Sequence, residues 1–192
     1  FLFVSNNFDD KDLITQGNEK VIDARLSDAK FFWDKNKKQS LVKQVTKLNS
    51  IIFYQKLGSI FDKTQRIRQL SSVISDTIGA SKADTEIAAS ISKSDLLSDL
   101  VGEYPELQGI IGRHFAVEQG FSRDISNAIQ NHYLPLGPTG NVPKEKISIS
   151  VAIADKIDNL VGFFGINEKP TSSKDPFALR RACLGVLRLI IE

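Results

Sequence analysis

The 192-residue chain contains no methionine, only one cysteine and two histidines, and no apolar run approaching twenty residues. One cysteine excludes an internal disulfide, and because Cys183 lies in an apolar helical stretch we expect it to be a small core residue. The short apolar runs predict no membrane span, and the N-terminus lacks the basic region and cleavage site of a signal peptide. These absences predict a cytoplasmic protein with no membrane partner.

An excess of one charge sign is also missing, since 25 Lys and Arg against 23 Asp and Glu leave a net charge of +2. That balance argues against a polybasic tail and is compatible with a local basic face. No Walker loop is present, and the glycines at 109, 112 and 120 do not follow a strand as a dinucleotide loop requires. No Ser-His-Asp or Cys-His signature stands out. We therefore expect no catalytic residue, metal or cofactor in this chain, and no ATP binding by it alone.

The first 59 residues mix strand and helix signals. "FLFVSNN" predicts a strand, residues 21–33 carry apolar side chains at helical spacing, and "SIIFYQKLG" suits an extended segment. We interpret residues 1–59 as the end of a preceding α+β region. Because the chain opens on Phe1 and an apolar helical pattern still runs at Glu192, we expect a piece of a longer protein whose last helix continues.

From residue 60 onward helical periodicity dominates, so we predict an all-helical domain over 60–192 and a mainly α chain. Gly79 is a suitable end for the first helix, and a helical pattern continues from Lys82 to Gly102. Two short helices, the loop "LGPTGNVPKEK" and two strongly apolar helices follow. Asp175-Pro176 predicts an N-cap and a first-turn proline for the last helix.

The two arginines near the start of the last helix differ in their predicted direction. A helical wheel places Arg180 in the middle of the apolar half and puts Arg181 and Arg188 together just outside it. An arginine among apolar side chains needs an acidic partner or a ligand. The preceding helix offers Asp158 and Asp155. We predict a buried Arg180–Asp158 or Arg180–Asp155 ion pair, in preference to ligand contact for Arg180.

Several strings together resemble the beta subunit of the bacterial tetrameric glycyl-tRNA synthetase. They are "GNEKVIDARLSDAKFFWD", "KLGSIFDKTQRI", "SKSDLLSDLVGEYPELQGIIGRHFA", "AIADKID" and "KDPFALRRACLGVLRLIIE". The resemblance covers residues 17–192 in order, and "DPFALRRA" and "ELQGIIGRHFA" are its most specific segments. This is a match of sequence patterns and does not follow from composition or periodicity.

The resemblance implies an enzyme of two alpha and two beta subunits that joins glycine to its tRNA using ATP. The alpha subunit would hold the adenylate-forming site, and the beta subunit would chiefly recognise tRNA. The part matched here would be an HD-like helical domain preceded by a short α+β segment of a neighbouring domain. The anticodon-binding part would lie beyond residue 192. The implied partners are the alpha subunit and the tRNA for glycine.

An HD-like fold raises a rival function, a metal-dependent phosphohydrolase, which needs a His, a His-Asp pair and a distant Asp around a divalent metal. By resemblance, "KTQRI" places Lys63 at the first His, the pair falls on Ser94-Asp95, and the last Asp is Asp155. Both histidines are replaced, and a lysine ammonium repels a divalent cation. We therefore expect a degenerate site in which Lys63 neutralises Asp95 and Asp155, in a domain that folds without metal.

The function that we favour is binding or positioning of tRNA by a non-catalytic part of the ligase. The candidate phosphate contacts are Arg113, Lys174, Arg181 and Arg188, with Lys93, Arg66 and Arg180 less favoured. No cluster of aromatic residues predicts a stacking platform for single strands. Two alternatives stay open at this point: a scaffolding domain whose arginines serve internal pairs, and a module that only bridges subunits.

Overall fold

The computed structural model describes residues 1–192, which form nine α-helices and one two-stranded antiparallel sheet. The helices are α1 Leu13–Asn36, α2 Leu41–Gln44, α3 Ile60–Ile78, α4 Lys82–Ile91, α5 Asp99–Glu103, α6 Ile110–Glu118, α7 Arg123–Asn131, α8 Lys146–Gly165 and α9 Leu179–Ile191. The strands are β1 Ile52–Tyr54 and β2 Gly58–Ser59, and 3₁₀ turns span Val45–Ser50, Ser94–Leu97 and Pro105–Leu107. The predicted mainly α class is confirmed. No helix combines the length and apolar composition that a bilayer crossing requires.

The core lies where α3, α4, α7 and α8 pack against one another. Ile67, Ala88, Ile129 and Val151, one from each of these helices, are all fully buried there. Burying such apolar side chains is the dominant favourable term in folding. These four helices therefore form the frame of the helical core.

Local signals in the sequence set both ends of α3. Ser59 accepts a hydrogen bond from the backbone N–H of Asp62, and the Asp62 carboxylate accepts one from the N–H of Ser59. This reciprocal arrangement satisfies donors that the first helical turn leaves free. Gly79 ends the helix with φ 67°, a left-handed conformation that costs glycine little. The predicted end at Gly79 is confirmed.

The segment before α3 differs from its prediction at its start and agrees with it over "SIIFYQKLG", where the β1–β2 hairpin forms. "FLFVSNN" forms no strand, and its apolar side chains are exposed. Strand pairing requires a neighbouring edge, and the only sheet is the short β1–β2 hairpin. Leu41 and Leu48 are buried, and Leu41 belongs to the same core cluster as Ile67 of α3. The division at residue 60 stays a prediction.

The helical pattern predicted from Lys82 to Gly102 is interrupted in the structure. The hydroxyl of Ser92 donates to Ala89 O, and that of Ser98 donates to Asp95 O and accepts from the N–H of Val101. Serine side chains that bond to the nearby backbone compete with continued helix. α4 therefore ends at Ile91, and α5 begins after a 3₁₀ turn.

The last helix begins later than predicted and buries a different face. Asp175 does cap it, since its carboxylate accepts from the N–H groups of Leu179 and Arg180, but the helix begins at Leu179. The buried residues are Leu179, Gly185 and Leu189, whereas Cys183, expected in the core, is exposed. The buried face contains Gly185, whose lack of a side chain allows α9 to approach α8 closely.

Candidate functional site

Five side chains from α3, α8 and the turn after α4 form a charge cluster: Lys63, Arg66, Lys93, Asp155 and Asp158. Both the α3 pair and the α8 pair are three residues apart, a spacing that places side chains on one helix face. Lys63 Nζ lies 3.0 Å from Asp155 Oδ1 and 3.1 Å from Asp158 Oδ2. Arg66 Nε donates to Asp158 Oδ1 at 2.5 Å. The cluster therefore links the two helices at the centre of the domain.

Asp155 is a buried carboxylate surrounded by several cations of the cluster. Burial opposes its ionisation, but the nearby ammonium groups of Lys63 and Lys93 and the charge of Lys156 outweigh burial and lower its pKa. Lys93 Nζ lies 3.6 Å from Asp155 Oδ1 and stands 4.1 Å above the ring of Tyr133. Asp155 is thus a fixed negative charge at the centre of several cations.

Two further titratable groups border this cluster, and the sequence reasoning gave neither a role. Lys156 Nζ donates to His132 O at 3.1 Å and to Leu134 O at 2.6 Å, and burial lowers its pKa to about 8. Burial, reinforced by the charge of Lys93, lowers the pKa of His132 well below its usual value. The packing of α9 against α8 brings Gly185 next to Lys156, where an added Cβ would lie 2.8 Å from Lys156 Cε, and no signal in the sequence indicates this contact.

The structure divides the four residues matched to the HD-type site into two environments. Lys63 contacts Asp155, as expected. It does not contact Asp95, so the expectation that Lys63 also neutralises Asp95 is wrong. Asp95 Oδ2 instead accepts from the N–H groups of Gly109 at 2.6 Å and Gly112 at 3.1 Å. Burial raises the pKa of Asp95, while these hydrogen bonds and Lys93 oppose the rise.

The neighbours of Asp95 show why glycine and serine surround it. A Cβ on Gly112 would lie 2.9 Å from Asp95 Oδ2 and 2.7 Å from Ile129 Cγ2, so the approach requires glycine. Ser94, the other residue of the matched pair, is buried and its hydroxyl has no hydrogen-bond partner. Asp95 is thus held by backbone amides, as an anchor for the turn that leads into α6.

The arrangement is poorly suited to metal chemistry. No group of three or more His, Cys, Asp or Glu side chains in residues 1–192 could hold a metal ion. A divalent cation beside Asp155 would also meet the ammonium groups of Lys63 and Lys93, which repel it. The charges in the cluster are suited to holding helices together.

The predicted buried pair of Arg180 with Asp158 or Asp155 is wrong. Arg180 is exposed, and its guanidinium donates to Thr171 O, while Lys63 and Arg66 are the partners of Asp158. The helical wheel predicted the wrong direction for Arg180 because α9 carries apolar residues around most of its circumference. Its exposed apolar residues are Leu184, Leu187, Ile190 and Ile191.

The structure separates the candidate RNA contacts by whether their charges have internal partners. Arg188 donates to Gly137 O at 3.1 Å and Gly140 O at 2.8 Å and pairs with Glu192, and Arg113 donates to Asn127 Oδ1 at 3.0 Å. The less favoured Lys93 and Arg66 belong to the charge cluster. Lys174 and Arg181 are both exposed, and their charged groups have no hydrogen-bond or ion-pair partner in the chain.

Lys174 and Arg181 also lie close together in sequence, on the segment that leads into α9 and on its first turn. Lys174 O accepts from the N–H of Thr171, so the segment turns back on itself before Asp175 caps the helix. Exposed cations on an ordered turn can meet an anion without first breaking an internal pair. Of the four favoured candidate contacts, Lys174 and Arg181 are therefore the two whose charges are free to meet a polyanionic partner.

A sequence model of the family described as glycyl-tRNA synthetase beta subunit matches residues 1–192. The glycine–tRNA ligase beta subunit of Rhodospirillum centenum is 50% identical over 182 residues, which are 93% of this chain and 26% of that protein. The corresponding subunit of Acinetobacter baumannii (strain ATCC 17978) is 48% identical over 193 aligned positions, which are 100% of this chain and 28% of that protein.

The chain thus spans little more than a quarter of the length of these relatives. The resemblance identified in the sequence strings is confirmed over the whole chain, including its first sixteen residues. The chain belongs to the glycyl-tRNA synthetase beta subunit family.

Proposed function

We propose that this chain is part of the beta subunit of a glycine–tRNA ligase, an enzyme that attaches glycine to its tRNA using ATP. The observation that carries the proposal is the family match over residues 1–192. The partners would be the alpha subunit, which would supply the adenylation chemistry, and the tRNA for glycine. The place of action would be the cytoplasm, where aminoacylated tRNA is used.

Within that enzyme, the contribution of this chain would be to bind and position tRNA rather than to perform chemistry. Support comes from the difference between its buried and exposed cations. Lys63, Arg66 and Lys93 are committed to Asp155 and Asp158, whereas Lys174 and Arg181 are exposed without partners. Lysine and arginine side chains of the second kind contact phosphates, release counterions and so supply affinity.

The test is tRNA binding by the full assembly of alpha and beta subunits, measured over a range of salt concentrations. Arg181→Ala should weaken binding of the tRNA for glycine and lower the slope of log affinity against log salt by about one unit, the value for one lost phosphate contact. Lys174→Ala should act in the same direction.

Arg180→Ala is the matched control, because it removes the same charge one residue earlier, where the guanidinium is bonded to Thr171 O. It should change the slope less than Arg181→Ala does. Equal slopes for the wild type and a well-folded Arg181→Ala enzyme would count against this surface. If subunit assembly were lost instead, the alternative of a module that only bridges subunits would be favoured.

A further inference from the structure

A small cavity of about 170 Å³ opens beside Arg181, between α8, the start of α9 and the segment after α7. Its volume is below the roughly 300 Å³ at which ordinary small-molecule pockets begin. A group the size of one nucleobase or one ribose fits such a volume, and a nucleoside triphosphate does not. We name this feature the α9 cavity.

Four hydrogen-bonding groups line the α9 cavity and have unfilled capacity. The Tyr133 hydroxyl, the Asn159 side-chain amide nitrogen and the Arg181 guanidinium are donors without a partner in the chain. The carboxylate of Asp155 accepts no hydrogen bond, and its buried Oδ1 has only the ion pairs with Lys63 and Lys93. Of the four, only Asp155 Oδ1 is a buried atom without a hydrogen-bond partner, and the other three are donors that converge on the same cavity. A few convergent polar groups around one cavity are typical of a ligand site.

Two aromatic side chains, Tyr133 and Phe177, form part of the cavity wall and are held in place by neighbouring residues. Phe177 stacks on Phe163 with ring centroids 4.0 Å apart and planes 15° apart. Tyr133 packs against His132 with centroids 3.9 Å apart, and a Cβ on Gly109 would lie 2.8 Å from its ring. Burial raises the pKa of Tyr133 well above its usual value, so the hydroxyl stays a donor at neutral pH. The cavity therefore exists before any ligand arrives.

These features together match the chemistry of one unpaired nucleotide. A flat base or a ribose fits between aromatic and apolar walls, a base amine or sugar hydroxyl can donate to Asp155, and Arg181 at the mouth can meet the attached phosphate. We propose that the α9 cavity receives one unpaired nucleotide of the bound RNA. This inference rests on the proposed tRNA-binding function and adds a recognition pocket to what was otherwise only phosphate contact.

The first test fills the cavity without changing any charge. Ala182→Leu adds apolar bulk to the cavity wall, and Cys183→Leu places the same side chain at the adjacent exposed position of the same helix. In the full alpha and beta assembly, Ala182→Leu should lower tRNA affinity about tenfold, as loss of one stacked base does, and should leave the salt slope unchanged. Cys183→Leu should bind tRNA as the wild type does.

Tyr133→Phe is a milder second variant, since it removes one hydroxyl and retains the ring. It should weaken tRNA binding about fivefold, the effect of one lost hydrogen bond, even if Ala182→Leu fails to fold. Chemical probing of the bases in bound tRNA should show one unpaired base that is protected in the wild type and reactive in either variant.

The possible outcomes separate this inference from the proposed function. If Arg181→Ala lowers the salt slope while Ala182→Leu and Tyr133→Phe bind and protect tRNA as the wild type does, the surface meets RNA and the nucleotide pocket is wrong. If Ala182→Leu weakens assembly with the alpha subunit and leaves base protection unchanged, the cavity receives a protein side chain and the inference is again overturned. If Arg181→Ala leaves tRNA binding unchanged, the proposed function itself is contradicted.

Discussion

The charge cluster between α3 and α8 and the surface at the start of α9 use the same residue types in opposite ways. In the cluster, Lys63 and Arg66 are matched to carboxylates at 2.5 to 3.1 Å. At the start of α9, Lys174 and Arg181 have no internal partner, and the cavity beside Arg181 presents unfilled donors. The difference teaches that the location of a charge says less about function than whether the chain itself already satisfies that charge.

The largest effect on stability is expected when a cation is removed from the charge cluster. Lys63→Met should lower the free energy of unfolding by about 3 kcal/mol, because Asp155 and Asp158 would be left buried with fewer compensating charges. Denaturant titration of the purified chain measures the change. Lys82→Met is the control, since its pair with Asp76 is exposed and should contribute less than about 1 kcal/mol. Equal effects for the two variants would show that the cluster does not stabilise the fold.

A second variant tests the third buried carboxylate, Asp95, which is held by amides rather than by cations. Asp95→Ala should cost about 2 kcal/mol, because the N–H groups of Gly109 and Gly112 would lose their acceptor in a buried place. Asp95→Asn retains a carbonyl oxygen at the same point and should cost much less. Thermal or denaturant unfolding of both variants decides the matter, and a large loss in Asp95→Asn would mean that the negative charge is what matters.

The part of this fold that the sequence predicts well is the part determined locally. Ser59 and Gly79 mark the ends of α3 because a capping side chain and a left-handed glycine act within a few residues. The serines at 92 and 98 were equally local signals, but their effect was missed because an apolar repeat continued past them. Family resemblance, rather than periodicity, predicted that Lys63 and Asp155 lie at the same site.

What the sequence could not supply was the choice among competing partners. Asp158 could have met Arg180, but Lys63 and Arg66 reach it from α3, and this depends on how α3 packs against α8. The buried face of α9 was misassigned because large apolar residues suggested the core, whereas close helix packing selected the face that contains Gly185. Such choices depend on tertiary contacts that no single helix encodes.

His132, which borders the charge cluster, should also give the stability of the chain a dependence on pH. His132 is fully buried with its pKa well below the usual value, so between that lowered pKa and about pH 6.5 the unfolded chain binds a proton that the folded chain does not. The free energy of unfolding should therefore fall as pH falls through this window, by at most about 1.4 kcal/mol per pH unit from this group.

The measurement is denaturant unfolding at several pH values between 5 and 7, for the wild type and for His132→Gln. The variant lacks the titrating group, so the difference in unfolding free energy between the two proteins should change with pH in that range. Contributions from carboxylates that do not interact with His132 are common to both proteins and cancel in the difference. Asp155 does interact with His132, but its pKa is lowered far below this pH range. A constant difference from pH 7 to pH 5 would contradict the prediction.

The smallest effects on stability are expected for Arg181 and Arg188, which the helical wheel placed together. These two arginines give the most direct comparison between a charge with an internal partner and one without. Arg188 donates to Gly137 O and Gly140 O, so Arg188→Ala should destabilise the chain by about 1 kcal/mol through loss of the loop contact. Arg181→Ala removes a charge with no internal partner and should change stability by less than about 0.5 kcal/mol. In tRNA binding by the full assembly the order should reverse, with Arg181→Ala lowering the salt slope more than Arg188→Ala does. An arginine whose loss leaves the fold intact but weakens tRNA binding serves a partner rather than the fold. If Arg188→Ala had the larger effect on both stability and the salt slope, Arg181 and Arg188 could not be divided in this way.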